Sequence, residues 1–98
     1  MMKQVQKLQG DMVKLQEELS GRTVEATAGG GMVKAVANGR QELVSLEIKP
    51  EAVDPEDVEM LQDMILAAVN ESLRQSREMV AREMGRLTGG MGFPPGLF

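Results

Sequence analysis

Hydrophobic residues in the first twenty positions recur at alternating intervals of four and three. This spacing predicts an amphipathic helix with a narrow apolar stripe, as in a coiled coil. Ser20-Gly21 predicts where the helix ends, because glycine is common at helix C-termini. The stripe consists of Met1, Val5, Leu8, Met12, Leu15 and Leu19.

The pattern then changes to a period of two, which predicts strands over residues 24–28, 32–37 and 42–48. The expected buried face contains Val33, Ala35 and Ala37 in the second strand and Val44, Leu46 and Ile48 in the third. Small alanines, Ala26 and Ala28 among them, would let another layer approach closely, either a helix or a second copy of the sheet.

Two glycine-containing turns would connect these strands. Gly29-Gly30-Gly31 fits a turn with positive φ angles, and Asn38-Gly39 fits a two-residue type I′ hairpin. A phosphate-binding loop is not expected at the triple glycine, because a strand follows it rather than a helix. The strands are therefore predicted to form an antiparallel meander.

A second helix is predicted from about residue 55 to residue 87. Asp54 is a suitable N-cap and Pro55 a suitable first helical residue. Thirty-three helical residues would span about 50 Å, far more than the width of the sheet. Its apolar face is expected to contain Val58, Leu61, Ile65, Val69, Ser72, Ser76, Val80, Met84 and Leu87.

The central segment Gly-Gly-Gly-x-Val-x-small-x-small-Asn-Gly, residues 29–39, resembles the YbaB/EbfC family of nucleoid-associated proteins. The opening helix at residues 2–9, the second helix at residues 61–71 and Phe93-Pro94-Pro95-Gly96 resemble the same family. The resemblance implies an α+β fold of order α-β-β-β-α and a homodimer with protruding helical arms. It also implies binding to double-stranded DNA in the cytoplasmic nucleoid, and neither catalysis nor a cofactor.

Composition limits the class of protein. The 98 residues fit one small domain over residues 1–88, followed by a Gly/Pro-rich tail over residues 89–98 that is expected to be loosely ordered. Both aromatic residues lie in that tail, so the core is thin and an obligate dimer is expected. No cysteine and no apolar run of membrane-spanning length occur, so neither a disulfide nor a membrane partner is expected.

Charge is distributed unevenly along the chain. The net charge is −4, but residues 51–70 contain six acidic and no basic residues. We call residues 51–63 the acidic block. A metal site is a possible interpretation of this block, but its spacing differs from that of a calcium loop, and helix capping explains it better.

Basic residues supply the candidate DNA-binding site. Lys3, Lys7 and Lys14 fall within about 40° of one another on the first helix, opposite its apolar stripe. We call them the lysine row. Lysines near a helix N-terminus oppose the macrodipole, so the arrangement suits an anionic ligand, although a solubilising surface is the alternative. The second helix contributes Arg74, Arg77, Arg82 and Arg86, for which local pairing with glutamates is the alternative.

Antiparallel helices would bring Lys3 and Lys7 together with Arg77, Arg82 and Arg86 at one end of an arm. The acidic block would then lie near Glu17 and Glu18 at the other end. The resulting hypothesis is a homodimer that binds double-stranded DNA through its phosphates, largely without sequence preference, and organises the nucleoid. The alternative is a protein-binding, chaperone-like module whose Met-rich arms clasp a partner helix. Catalysis and a small-molecule substrate are not expected, since histidine, cysteine, tyrosine and tryptophan are absent.

Overall fold

The structure is a computed structural model that describes residues 2–90, with side chains described for residues 3–87. It confirms the predicted order α-β-β-β-α. The elements are α1 (Met2–Gly21), β1 (Thr23–Ala28), β2 (Val33–Asn38), β3 (Leu43–Ile48), a 3₁₀ turn (Pro50–Ala52) and α2 (Val58–Gly90).

The three strands form an antiparallel sheet in the order β1-β2-β3, and α2 packs across β1 and β2. Ala26 and Ala35 lie directly opposite each other in the sheet and are both buried, as is Ala68 of α2. Small side chains on both layers let the helix axis approach the sheet closely. The layer that packs closely on these alanines is therefore α2, the second helix of the same chain.

The β1–β2 turn has the predicted glycine geometry. Gly29, Gly30 and Gly31 have φ angles of 64°, 67° and 93°, in the region that disfavours side chains. A Cβ at Gly29 would also lie 2.3 Å from the sulfur of Met64, so that flexible side chain would have to move.

The β2–β3 turn differs from the predicted two-residue hairpin, and the expectation of a positive φ at Gly39 is wrong. The turn spans three residues, and Gln41 holds the positive φ, 61°. The Gln41 amide donates to the Asn38 carbonyl oxygen at 3.0 Å, and the Asn38 amide donates to that of Glu42 at 3.0 Å. This is a type I turn followed by a left-handed residue, the usual three-residue hairpin.

Strand β3 departs from the predicted burial. Val44 and Leu46 remain 55% and 39% exposed, because α2 covers β1 and β2 and barely reaches β3. Leu43 pairs with Ala37 and Ser45 with Val36, so Val44 lies in a bulge without a directly opposite partner. Leu46 and Ile48 do lie on the predicted face, opposite Ala35 and Val33.

The start of α2 also differs from the prediction. The N-cap is Asp57, whose Oδ1 accepts from the Met60 amide at 3.2 Å. Asp54 instead closes a separate turn around Pro55, in which its carbonyl oxygen accepts from the Asp57 amide at 3.0 Å. The helix therefore begins at Val58, whose side chain is half exposed because it lies before the buried part of α2.

The molecule is elongated. Its radius of gyration is 18.0 Å, against about 13 Å for a compact chain of this length. The cause is α2, which continues to Gly90, well beyond the sheet. Within residues 2–90 no helix is long and apolar enough to span a membrane. Residues 91–98 of the predicted tail lie outside the described residues.

Candidate nucleic-acid interface

Helix α1 runs antiparallel to the C-terminal part of α2, as the topology predicted. Leu19, near the end of α1, lies beside Val80 in one cavity, whereas Leu15, one turn earlier, lies beside Leu87 in a second. An ion pair between Arg22 Nη1 and Glu83 Oε1, at 3.4 Å, joins the residue that follows α1 to α2. We call α1 together with residues 77–90 of α2 the arm.

The lysine row is solvent-exposed along its whole length. None of Lys3, Lys7 and Lys14 forms an ion pair with another residue in the part of the chain that the structure describes. The row spans about 17 Å along the axis of α1, the length of about five base-pair steps. Its three ammonium groups are therefore available to an external anion.

Lys14 and Arg86 line the same cleft between α1 and α2. The cleft also contains carboxylates, and Arg86 Nη1 lies 3.4 Å from Glu83 Oε1. The Arg86 side chain is nonetheless 72% exposed, so this pairing leaves most of its guanidinium accessible. The acidic residues of the cleft are Asp11, Glu18 and Glu83.

The arginines of α2 do not share one face. At about 100° per residue, Arg82 and Arg86 lie about 40° apart, whereas Arg77 lies about 180° from Arg86. All three are exposed. Arg82 therefore lies on the side of α2 that carries Arg86, which shares a cleft with Lys14, while Arg77 faces another direction.

Arg74 is the most strongly paired of the predicted site residues. Its guanidinium donates to both Glu71 and Glu78, and the Nε–Oε2 distance to Glu71 is 2.9 Å. The hydrogen bond from Arg74 is the main cause that lowers the pKa of Glu71 from 4.5 to about 2, and the same pair raises the pKa of Arg74. The local-pairing interpretation therefore holds for the Arg74–Glu78 pair.

The acidic block lies at the opposite end of α2 from the basic surface. Glu59 and Arg86 are separated by 27 residues of helix, or about 40 Å. Asp54 and Asp57 accept hydrogen bonds from backbone amides, as helix and turn capping requires. Among the described residues no group of three or more potential ligands could hold a metal ion.

The expected gathering of Glu17 and Glu18 with the acidic block is wrong. Glu17 lies in the cavity that contains Val80, and Glu18 in the cleft that contains Arg86. Helix α1 packs against the distal part of α2, because the chain leaves α1 at the edge of the sheet beside Asn38, far from the N-terminus of α2. Glu18 therefore reduces the positive charge beside Lys14 and Arg86, and Glu17 reduces it beside Arg40 at the base of the arm.

Sequence reasoning did not identify Glu83 as a structural residue. Its carboxylate pairs with both Arg22 and Arg86 and is only 16% exposed. The pairing with Arg86 follows from i,i+3 spacing, but the pairing with Arg22 depends on the packing of α1 against α2, which local spacing does not reveal.

Comparison with known proteins gives consistent results. The profile of the YbaB/EbfC DNA-binding family matches residues 1–91. A nucleoid-associated protein of Pelotomaculum thermopropionicum is 72% identical over the whole chain, which covers 92% of that relative. A nucleoid-associated protein of Desulforamulus reducens is 70% identical with the same coverage.

Among solved structures, the fold is similar to the crystal structure of an uncharacterized protein from Helicobacter pylori. The TM-score is 0.67 and the sequence identity 26%, and the match covers 89% of this chain and 96% of the other. The order of helices and strands is thus shared over nearly the whole length.

Proposed function

Because the chain belongs to the YbaB/EbfC DNA-binding family, we propose that it is a nucleoid-associated protein that binds the phosphates of double-stranded DNA through the arms of a homodimer. The lysine row carries this proposal: three exposed ammonium groups on one face of the arm, without an ion pair among the described residues. Arg82 and Arg86 extend the positive surface onto α2.

The separation of charge explains how an acidic chain can bind a polyanion. The acidic block is about 40 Å from Arg86, several times the screening length of about 8 Å at physiological salt. A duplex at the lysine row would therefore be little affected by the net charge of −4. This arrangement also orients the protein, since the acidic block repels DNA whereas the arm presents the lysine row.

Binding of this kind would be largely insensitive to sequence. Flexible lysines contact phosphates, which carry no direct sequence information. Residues 2–90 contain no aromatic side chain on which a base could stack. Affinity would therefore depend on salt more than on base sequence.

The exposed apolar residues of β3 support the homodimer. Leu43, Val44 and Leu46 are each 39% exposed or more, and β3 is an edge strand. Such an apolar edge promotes association unless it is covered. A second copy would cover it and would provide a second arm, so that the dimer could grip one duplex or bridge two and thereby organise the nucleoid.

A second candidate is a module that clasps a partner helix. Val5 and Val13 on α1 are each 55% exposed, so the arm also presents apolar surface. This candidate predicts binding that resists salt, because burial of apolar surface is not screened by ions.

Titration of the protein onto two unrelated duplexes at about 50 mM and about 200 mM salt tests the proposal. We expect similar affinities for the two duplexes and a marked loss at the higher salt concentration. Absence of binding to either duplex at low salt would contradict the proposal and favour the partner-helix module.

A further inference from the structure

A cavity of about 330 Å³ lies where the arm leaves the sheet. We call it the root cavity. Val13, Leu19, Val80 and Met84 provide apolar walls, and Gly39 belongs to the β2–β3 turn that closes one side. The polar groups at the cavity are Gln16, Glu17 and Arg40.

The turn that carries Arg40 is held in place by several hydrogen bonds. Asn38 Oδ1 accepts from the amides of Arg40 and Glu42 at 2.9 and 3.1 Å. The Ser76 hydroxyl of α2 donates to the Asn38 carbonyl oxygen, which ties the turn to the helix. The backbone of Arg40 is therefore fixed relative to α2.

Gly39 fixes the same turn against α1. A Cβ at this position would lie 2.0 Å from the carbonyl oxygen of Leu19, so the two backbones are in direct contact. The turn thus touches both helices of the arm. A side chain at position 40 is presented from a rigid platform, which lowers the conformational cost of binding.

The guanidinium of Arg40 has no carboxylate partner within residues 2–90. Arg22, Arg74 and Arg86 each form an ion pair. Arg40 shares the unpaired state, over the same range of residues, with Arg77 and Arg82. Two carboxylates are nearby in the structure but do not pair with it: Glu17 lines the same cavity, and Glu42 Oε1 accepts from Asn38 Nδ2 at 3.5 Å. Arg40 is therefore neither buried nor held in an ion pair within the described residues.

The geometry points to the root cavity as a docking site for one backbone unit of DNA, with Arg40 as the phosphate ligand. Its volume is at the lower end of the range for small-ligand sites and admits a phosphate with its deoxyribose. A guanidinium binds phosphate through two parallel hydrogen bonds, and the largely apolar face of the sugar would lie against Val13 and Val80. The inference rests on the proposed function and extends the contact from the lysine row to the base of the arm.

Site-directed crosslinking tests this placement directly. The chain contains no cysteine, so Arg40→Cys and Lys49→Cys each provide a single site for an aryl-azide photo-crosslinker. Lys49 follows β3 at the other end of that strand and serves as the control. We expect the probe at position 40 to crosslink to a duplex and the probe at position 49 not to do so.

Two variants that each remove one positive charge give an independent measurement of duplex binding. Arg40→Gln should weaken duplex binding by roughly tenfold, the effect of one charge-assisted hydrogen-bonding group. It should also reduce the slope of log affinity against log salt by about 0.9. Lys49→Gln changes the net charge equally and should leave both quantities unaltered.

The outcomes separate this inference from the proposed function. If position 40 does not crosslink, or Arg40→Gln binds like Lys49→Gln while the unmodified protein binds duplexes, the docking site is wrong and the lysine-row contact stands. If the unmodified protein binds no duplex at low salt, both fail.

Discussion

The Ser76 hydroxyl of α2 donates a hydrogen bond to the main-chain carbonyl oxygen of Asn38, 38 residues earlier in the sequence. Ser76 is fully buried on the face of α2 that packs on the sheet, as is Ser72 one turn earlier. A small side chain at this position lets the helix approach the end of β2, and its hydroxyl satisfies a polar backbone group there. The bond fixes the point from which α2 continues beyond the sheet as part of the arm.

Gly39→Ala should lower the free energy of unfolding by more than about 2 kcal/mol, because the added Cβ overlaps the Leu19 carbonyl group. Gly10→Ala is the matched control: its Cβ meets nothing within 4 Å, and alanine in a helix is favoured over glycine by up to about 1 kcal/mol. Urea denaturation measures both. Equal stability of the two variants would contradict the close contact between the turn and α1.

Gly30→Ala should be destabilising by about 1–2 kcal/mol through backbone strain alone, because φ is 67° and the space around a Cβ is open. Gln41→Gly should have the opposite effect, since it removes the strain of a side chain at φ 61°. Thermal unfolding measures both. If Gly30→Ala unfolds at the same temperature as the unmodified protein but binds duplex DNA more weakly, the glycines contact the ligand and are not required by the turn.

The triple variant Lys3→Gln, Lys7→Gln, Lys14→Gln should fold normally, because these side chains are exposed. Its affinity should fall similarly on unrelated duplexes, and the salt slope should decrease by about 0.9 for each phosphate that the variant no longer neutralises. Fluorescence anisotropy over a salt series measures both quantities.

Two further variants provide controls for the lysine row. Removal of Glu56 and Glu59 by substitution with Gln should not weaken binding, because the acidic block is far from the arm. Unchanged affinity and slope in the triple-lysine variant, with its oligomeric state preserved, would indicate a solubilising surface and favour the partner-helix module.

Leu46→Glu should convert a dimer into monomers, because it places a charge in the apolar patch on β3. Sedimentation should give about twice 10.7 kDa for the unmodified chain and a single chain mass for the variant. Ser45→Glu, on the opposite face of the same strand, should remain dimeric. A monomeric unmodified protein, or a dimeric Leu46→Glu variant with native circular dichroism, would exclude this patch as the interface.

Arg74→Gln should raise the pKa of Glu71 from about 2 towards 4.5, because the variant removes the main hydrogen bond to its carboxylate. A carboxyl pKa that is lowered by folding stabilises the protein above pH 4.5, and this contribution disappears as the pH falls towards 2. Solvent exposure keeps the contribution small. Carboxyl carbon NMR over this pH range measures the titration.

The same pairing makes a prediction about DNA. To bind a phosphate, Arg74 would have to break its ion pairs with Glu71 and Glu78. Arg82 forms no ion pair within the described residues. Arg74→Gln should therefore weaken duplex binding less than Arg82→Gln. A larger effect at Arg74 would mean that its glutamate partners do not compete with DNA.

The sequence by itself determined the order of the elements and most of their bounds. The hydrophobic period changes from 3.6 to two and back, and that periodicity depends only on local backbone geometry. The triple-glycine turn was predictable for the same reason, since positive φ is a property of single residues. The exposed lysine row followed from helical spacing along α1.

The tertiary structure decided what depends on contacts between distant residues. Gly39 was expected to provide a positive φ, but it is needed because Leu19 approaches its backbone, and Gln41 adopts the strained conformation instead. The exposure of Leu46 depends on where α2 crosses the sheet, and the pairing of Arg22 with Glu83 depends on how α1 returns along α2. Local pattern specifies which face of an element is apolar, but only packing decides what covers that face.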